Sequence, residues 1–313
     1  MNLWSRRAFS VLPALSLLAL STLAHGSEPL RGVIEASALK SRLGQPGLVV
    51  VDIRSGETRE LGRSTFAAGH IPGAVHGDYA HAAWRLPRGN ISVYLPEPAQ
   101  FEVLAGDLGI SNDDSVVIVH EGTDATSFGS AARAYWTFKA MGHASIAILD
   151  GGYHGWVQAG YPVEKGEKSP SSTIYEAKPV SELRAKLNDV LAAEKSKVTL
   201  VDSRPESFFS GLEKHRAVAA FGHIPGAINV PHHTAFRADF RLKDKASLAQ
   251  AFSAVDQGPT IAYCNTGHWA ATDWFVLSEV LGRKDVRLFD GSMLEYASEQ
   301  KGPVANPRAK SGT

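Results

Sequence analysis

The hexapeptide Gly-His-Ile-Pro-Gly-Ala occurs twice, at residues 69–74 and 222–227, and nothing else in the chain restricts its fold so strongly. The same signals flank both copies in the same order. A hydrophobic run closing on Asp-x-Arg comes first, Val49-Val50-Val51-Asp52-Ile53-Arg54 and then Thr199-Leu200-Val201-Asp202-Ser203-Arg204. A second run follows, residues 116–119 and 260–263, and Ile148-Leu149-Asp150-Gly151-Gly152 is answered by Leu288-Phe289-Asp290-Gly291-Ser292. A period of about 150 residues belongs to tandem globular domains, because solenoid repeats run about 20 to 50. Two copies of one domain are expected.

Within each copy, short Val/Ile/Leu runs alternate with helical patterns, which predicts an α/β fold whose two mostly parallel sheets are flanked by helices. Residues 181–195 place Leu183, Leu187, Val190 and Leu191 on one helical face, with Ser181 able to cap the start. Residues 131–141 and 270–281 are further helices, each stopped by a glycine, Gly142 or Gly282. Residues 164–179, rich in Lys, Ser, Pro and Glu, read as a linker between domains at 27–163 and 180–305, with a tail at 306–313.

Residues 1–26 read as a secretory signal. Arg6 and Arg7 precede an uncharged apolar stretch at 11–24, and Ala24-His25-Gly26 offers small residues for cleavage. The stretch is shorter than the roughly 20 residues that span a bilayer, so no stable membrane anchor is expected. Ser5-Arg6-Arg7-Ala8-Phe9 resembles a twin-arginine export signal, and the general route stays open beside it. The expected destination is the periplasm or the outside.

Charge is balanced, 32 basic against 32 acidic residues with no basic stripe, which disfavours nucleic acid as a partner. The single cysteine excludes an internal disulfide and a Cys-rich zinc site. His232 and His233 lack neighbouring acidic or thiol ligands, so no metal or other cofactor is expected.

That cysteine, Cys264, follows an apolar run and precedes a helix pattern. Loops at such junctions aim backbone N–H groups and the positive helix end at an anion, and a thiolate is a reactive anion. The amides from Asn265, Thr266, Gly267, His268 and Trp269 are candidates to bind sulfur or oxyanion, with Gly267 permitting the tight curl. Arg204 has two readings, a fork on the substrate anion or an ion pair with Asp202. For His268 an imidazolium that stabilises the thiolate and a solvent-facing ring are both open. Trp269 either walls the pocket or packs beneath the helix.

Taken together, Asp-x-Arg, Gly-His-Ile-Pro-Gly-Ala, a C-x-x-G loop and Asp-Gly-Gly-Tyr-x-Gly-Trp at 150–156 resemble the tandem rhodanese family of sulfurtransferases over nearly all the chain beyond the signal. The resemblance implies that Cys264 carries a persulfide and that only the second domain is catalytic. In the first copy the matching position falls at or near Glu121, in a loop expected to be three residues longer, where the acid is either a plug or a solvated side chain. The implied partners are a small sulfur donor and acceptor, thiosulfate with cyanide or a thiol, and a protein acceptor is allowed. In relatives acting on 3-mercaptopyruvate a second arginine grips the carboxylate; its place here is taken by Phe208. The phosphatase relatives of the fold use Cys-x5-Arg, and the sixth residue after Cys264 is Ala270. A non-enzymatic persulfide carrier is the remaining alternative.

Overall fold

The computed structural model describes residues 28–58, 63–298 and 302–308. The signal segment at 1–26 and the end of the 306–313 tail lie outside the described residues.

Each half is built on a parallel sheet. Strands in the first run in the spatial order Val33–Ile34, Ile146–Leu149, Ser115–Val119, Leu48–Asp52, Val75–His76. The second has Val286–Leu288, Thr260–Tyr263, Thr199–Asp202, Ile228–Asn229, the same order without the first strand. Helices cover both faces, which is why the central strands read as unbroken apolar runs. Asp52 lies opposite Val119, and Asp202 opposite Tyr263, so the copies match residue for residue. The residue leaving the central strand is His120 in one copy and Cys264 in the other.

The second sheet keeps only a vestige of its missing strand. Arg184 is extended (φ −110°, ψ 129°) and pairs in parallel with Leu288. This pairing corrects the helix expected over 181–195, which breaks into a 3₁₀ turn, Ser181–Leu183, and a short helix, Leu187–Leu191. A free sheet edge outcompetes helix propensity, which is a weak preference. Ser181 does not cap; the Asp189 carboxylate accepts the Lys186 N–H at 2.8 Å instead.

The helix expected at 131–141 begins earlier, as Ala125–Ala140, because Asp124 caps it by accepting the Ser127 N–H at 2.6 Å. The helix expected at 270–281 runs as Trp269–Phe275 and then a π-helical turn, Val276–Val280. Gly142 and Gly282 close them with φ of +83° and +77°. Both helices start five positions after the end-of-strand residue, 120 to 125 and 264 to 269. The extra length of the first copy therefore lies in its helix and not, as expected, in its loop.

These two helices pack against each other across the domain boundary. Phe128 and Tyr135 meet the Phe275 ring edge-on at 5.5 and 5.0 Å, and the Tyr135 hydroxyl donates to Glu279 at 2.6 Å. One continuous buried cluster runs through both domains, so the interface is packed like a core. It sets the start of one helix beside the start of the other. The segment at 164–179 is laid on the first domain: Glu164 pairs with His70, the Tyr175 ring packs against Phe101, and the Lys178 N–H donates to the Met141 carbonyl.

Candidate active site

Cys264 sits at the carboxyl end of the central strand of the second sheet, where sites in open α/β sheets collect. Its N–H donates to the Ser292 hydroxyl at 3.0 Å, and its carbonyl accepts the Met293 N–H at 3.1 Å. The Asn265 carbonyl accepts the Leu294 N–H at 2.9 Å. These bonds spend the carbonyls and leave the amides over. Among the described residues, no acceptor meets the backbone N–H groups of residues 265–269. Unpaired N–H groups on a tight curl form a concavity for an anion.

Gly267 makes the curl sterically feasible. Its φ is +71°, and a Cβ there would lie 2.5 Å from the Asp290 carbonyl oxygen and 2.6 Å from Arg133 Nη1. Arg133 comes from the first domain. Fully buried, it donates to the Gly267 carbonyl at 3.2 Å and to the Val93 carbonyl at 2.8 Å, with Asp290 3.7 Å away. A guanidinium from one domain thus braces the cysteine loop of the other.

A cavity of about 190 Å³ opens over Cys264, with Asn265, Thr266, His268 and Trp269 on its walls. His215 adds a further wall, and Arg85 and Thr126 reach in from the first domain. Both lie in the first domain, far from Cys264 in sequence, and no motif links either of them to the thiol. Among the described residues, no group of three or more His, Cys, Asp or Glu side chains is arranged to hold a metal.

Gly267 turns the loop without lining the cavity, and Arg204 stands apart from it as well. Its Nε and Nη2 grip the Asp202 carboxylate at 2.9 and 2.6 Å, and Nη2 also donates to the Gly222 carbonyl at 2.9 Å. Arg54 makes the same fork on Asp52 and the same bond to the Gly69 carbonyl, at 2.6 Å, in the copy that has no thiol. An arrangement present with and without a nucleophile belongs to the fold: it ties the strand end to the Gly-His-Ile-Pro-Gly-Ala segment. The histidines of that segment behave alike too, stacking on Phe66 and Phe209 and bonding those residues' carbonyls.

His268 is fixed as a neutral ring. Nε2 donates to the Thr126 carbonyl at 2.8 Å, and Nδ1 accepts from the Tyr79 hydroxyl at 3.2 Å. Burial, with Arg85 and Arg133 nearby, lowers its pKa to about 3. An imidazolium supporting a thiolate is therefore replaced by a neutral hinge to the first domain. Gly129 permits that approach, since a Cβ there would lie 2.9 Å from the imidazole. Trp269 is both wall and packing: it stacks on His232 at 4.6 Å, meets Phe208 edge-on and donates to the Thr126 hydroxyl at 3.2 Å. The Asn265 side-chain amide is buried without a hydrogen-bond partner, beside the thiol.

In the first copy, His120 holds the cysteine's place. The Tyr153 N–H donates to the His120 carbonyl and the His154 N–H to that of Glu121, matching the bonds from Met293 and Leu294. Glu121 is thus the counterpart of Asn265; it is half-buried in a neighbouring cavity, and burial raises its pKa. Ser127 plays the plug, accepting the Gly122 N–H at 3.2 Å and bonding the His120 ring at 3.1 Å.

Comparison with known proteins agrees with this picture. A rhodanese-like domain is matched at residues 35–159 and again at 181–299. The thiosulfate sulfurtransferase of Corynebacterium glutamicum is 32% identical over 286 residues, 87% of this chain and 89% of that one. A Mycolicibacterium smegmatis protein assigned the same activity is 35% identical over 277 residues, 85% of this chain and 94% of its own. Among solved structures, SseA from Escherichia coli, described as a 3-mercaptopyruvate sulfotransferase, superposes with a TM-score of 0.69 at 28% identity, covering 83% of this chain and 98% of that one. Tum1 from Saccharomyces cerevisiae shares the fold, with a TM-score of 0.73 at 21% identity over 90% of this chain and 99% of its own. With two matched domains and relatives this similar along most of its length, the chain belongs to the rhodanese-like domain family, as a two-domain sulfurtransferase.

Proposed function

We propose that the protein moves a sulfane sulfur from thiosulfate to a thiophilic acceptor, cyanide or a thiol, through a persulfide on Cys264. The observation that carries this is the pairing of a lone thiol with the unpaired amides of residues 265–269 at a small open cavity. The Cys264 thiolate attacks the outer sulfur of thiosulfate. The bond from that sulfur to the sulfonate sulfur breaks, and sulfite leaves with the electron pair. The amides receive the charge on the resulting persulfide without reorganising. An acceptor then attacks the terminal sulfur, forming thiocyanate or a new persulfide, and the thiolate is restored.

Transfer from 3-mercaptopyruvate is the weaker reading. The place of a carboxylate-gripping arginine is held by Phe208, whose ring packs against the cavity wall at Trp269. The apolar leader at 11–24 after Arg6 and Arg7 supports export to the periplasm or beyond. The test is mass spectrometry of the protein after thiosulfate treatment, with steady-state rates on both donors. A mass gain of one sulfur on Cys264, and faster turnover with thiosulfate, are expected. Absence of both adduct and turnover defeats the proposal. A Cys264→Ser protein that kept its biological role would point to a purely binding role.

A further inference from the structure

Accepting thiosulfate poses a charge problem that the cysteine loop does not solve. The donor carries negative charge at the end remote from the attacked sulfur, while residues 265–269 contribute no cationic side chain: Asn265 and Thr266 are neutral groups, and His268 is held neutral by its two hydrogen bonds. Arg204 is committed to Asp202, and Arg133 faces the Gly267 and Val93 carbonyls. Of the side chains lining the cavity, the one with a permanent positive charge is Arg85, and no acid lines it.

Arg85 is placed with some care. The residue before it, Trp84, is fully buried and its indole N–H donates to the Gly77 carbonyl at 2.7 Å. The strand after it, Leu86–Arg88, pairs with Ile91–Tyr94. Its guanidinium lies 4.6 Å from the centre of the Tyr79 ring, and the Tyr79 hydroxyl is bonded to His268. Among the described residues Arg85 has no carboxylate partner. Glu121 lines the adjoining first-domain cavity, as Arg85 also does, yet makes no ion pair with it. A half-buried guanidinium, steered by an aromatic face and left without a counter-ion, is a site for an oxyanion.

We propose that Arg85, contributed by the domain without a nucleophile, is the anion anchor of the Cys264 cavity and holds the sulfonate end of a thiosulfate-type donor while the amides of residues 265–269 receive the sulfur. This rests on the donor assignment above and adds a binding element to it: one guanidinium matches the one oxyanion end of the donor. It also assigns the first domain a direct place in substrate binding.

The test uses the full chain and two probes. Sulfate, an unreactive oxyanion, is scored for its ability to slow alkylation of Cys264 by neutral iodoacetamide. Thiosulfate is scored by the second-order rate of sulfur uptake on Cys264. In Arg85→Gln, sulfate protection should vanish, and sulfur uptake should fall about 10- to 100-fold, the range for losing a charge-assisted hydrogen bond. The iodoacetamide rate should fall at least about tenfold less than that. Arg85→Lys should recover part of both, since it restores the charge without the fork. Equal sulfate protection of wild type and Arg85→Gln, protection of neither, or equal losses with thiosulfate and iodoacetamide would each overturn the anchor. Sulfur uptake by wild type with no loss in Arg85→Gln defeats the anchor and leaves the sulfurtransferase reading standing. Arg85-dependent protection in a wild type that takes up no sulfur does the reverse.

Discussion

At the end of the strand Ser115–Val119 the Ser127 hydroxyl accepts the Gly122 N–H and Asp124 accepts the Ser127 N–H, whereas after Thr260–Tyr263 the amides of residues 265–269 meet no acceptor among the described residues. The two loops leave equivalent strands, span the same number of residues and hang from the same bonds to the Asp-Gly turn. They differ in what occupies the curl. In the copy without a thiol a side chain enters the curl and takes the Gly122 N–H; in the copy with the thiol no side chain does so among the described residues. Bracing differs as well. Arg133 and Asp273 each lie 17 residues before the aspartate of their Asp-Gly turn, yet Arg133 reaches out to the other domain's loop, while Asp273 stays fully buried with its carboxyl pKa raised well above the usual range by burial.

The strongest attempt to break this contrast is to exchange the nucleophiles. Cys264→Ser should lower sulfur transfer by at least about a thousandfold, as removal of a covalent nucleophile does. Adding His120→Cys to that protein should restore none of it, because the Ser127 hydroxyl already holds the Gly122 N–H, one of the amides a persulfide would need. A one-sulfur mass gain at position 120 would show that the thiol alone separates the copies.

The next concerns Asp-x-Arg, where the copies are claimed to be the same. Arg204→Met and Arg54→Met each strand a buried carboxylate, and each should cost about 3–5 kcal/mol in denaturant unfolding. Turnover per folded molecule in Arg54→Met and Arg204→Met should remain comparable. If Arg204→Met instead lost thiosulfate affinity without losing stability, its arginine would belong to the substrate after all.

The smallest effect tests a histidine from each half. Burial lowers the pKa of His120 and of His232 to about 4, below the ordinary 6.5. Between these values the unfolded chain binds protons that the folded one does not, so stability is full above about pH 6.5 and is lost as pH falls towards 4. At roughly pH 5.5 each contributes a loss of about 1 kcal/mol. His120→Asn and His232→Asn should each flatten the acid limb of a stability-against-pH curve by that amount. Unchanged limbs would mean both rings are protonated in the folded state.

Much of this was legible in the residues. The repeat fixed two parallel sheets and located the thiol, since identical letters in equivalent places demand equivalent backbones. It held the answer for Arg204 too: Arg54, in a copy without chemistry, marks the pair as architectural. What stayed hidden arises where the domains meet. Arg85, Thr126 and His268 converge only because two helices pack, and no local pattern records which helix meets which. The break at Arg184 was hidden for a similar reason, as the sheet edge that claims it lies about 100 residues away in sequence. One signal was present and unread. Arg133 stands in the run Ala131-Ala132-Arg133-Ala134-Tyr135-Trp136, and a lone guanidinium on so apolar a helix must find buried acceptors elsewhere.

The 2.9 Å clearance between a notional side chain at Gly129 and the His268 ring has a further implication. A position in the half without a thiol answers to the geometry of the half that has one. A methyl group at residue 129 pushes on the loop that carries Cys264. Substitution there is bounded by a ring from the other domain, so each half limits the sequences open to its sibling.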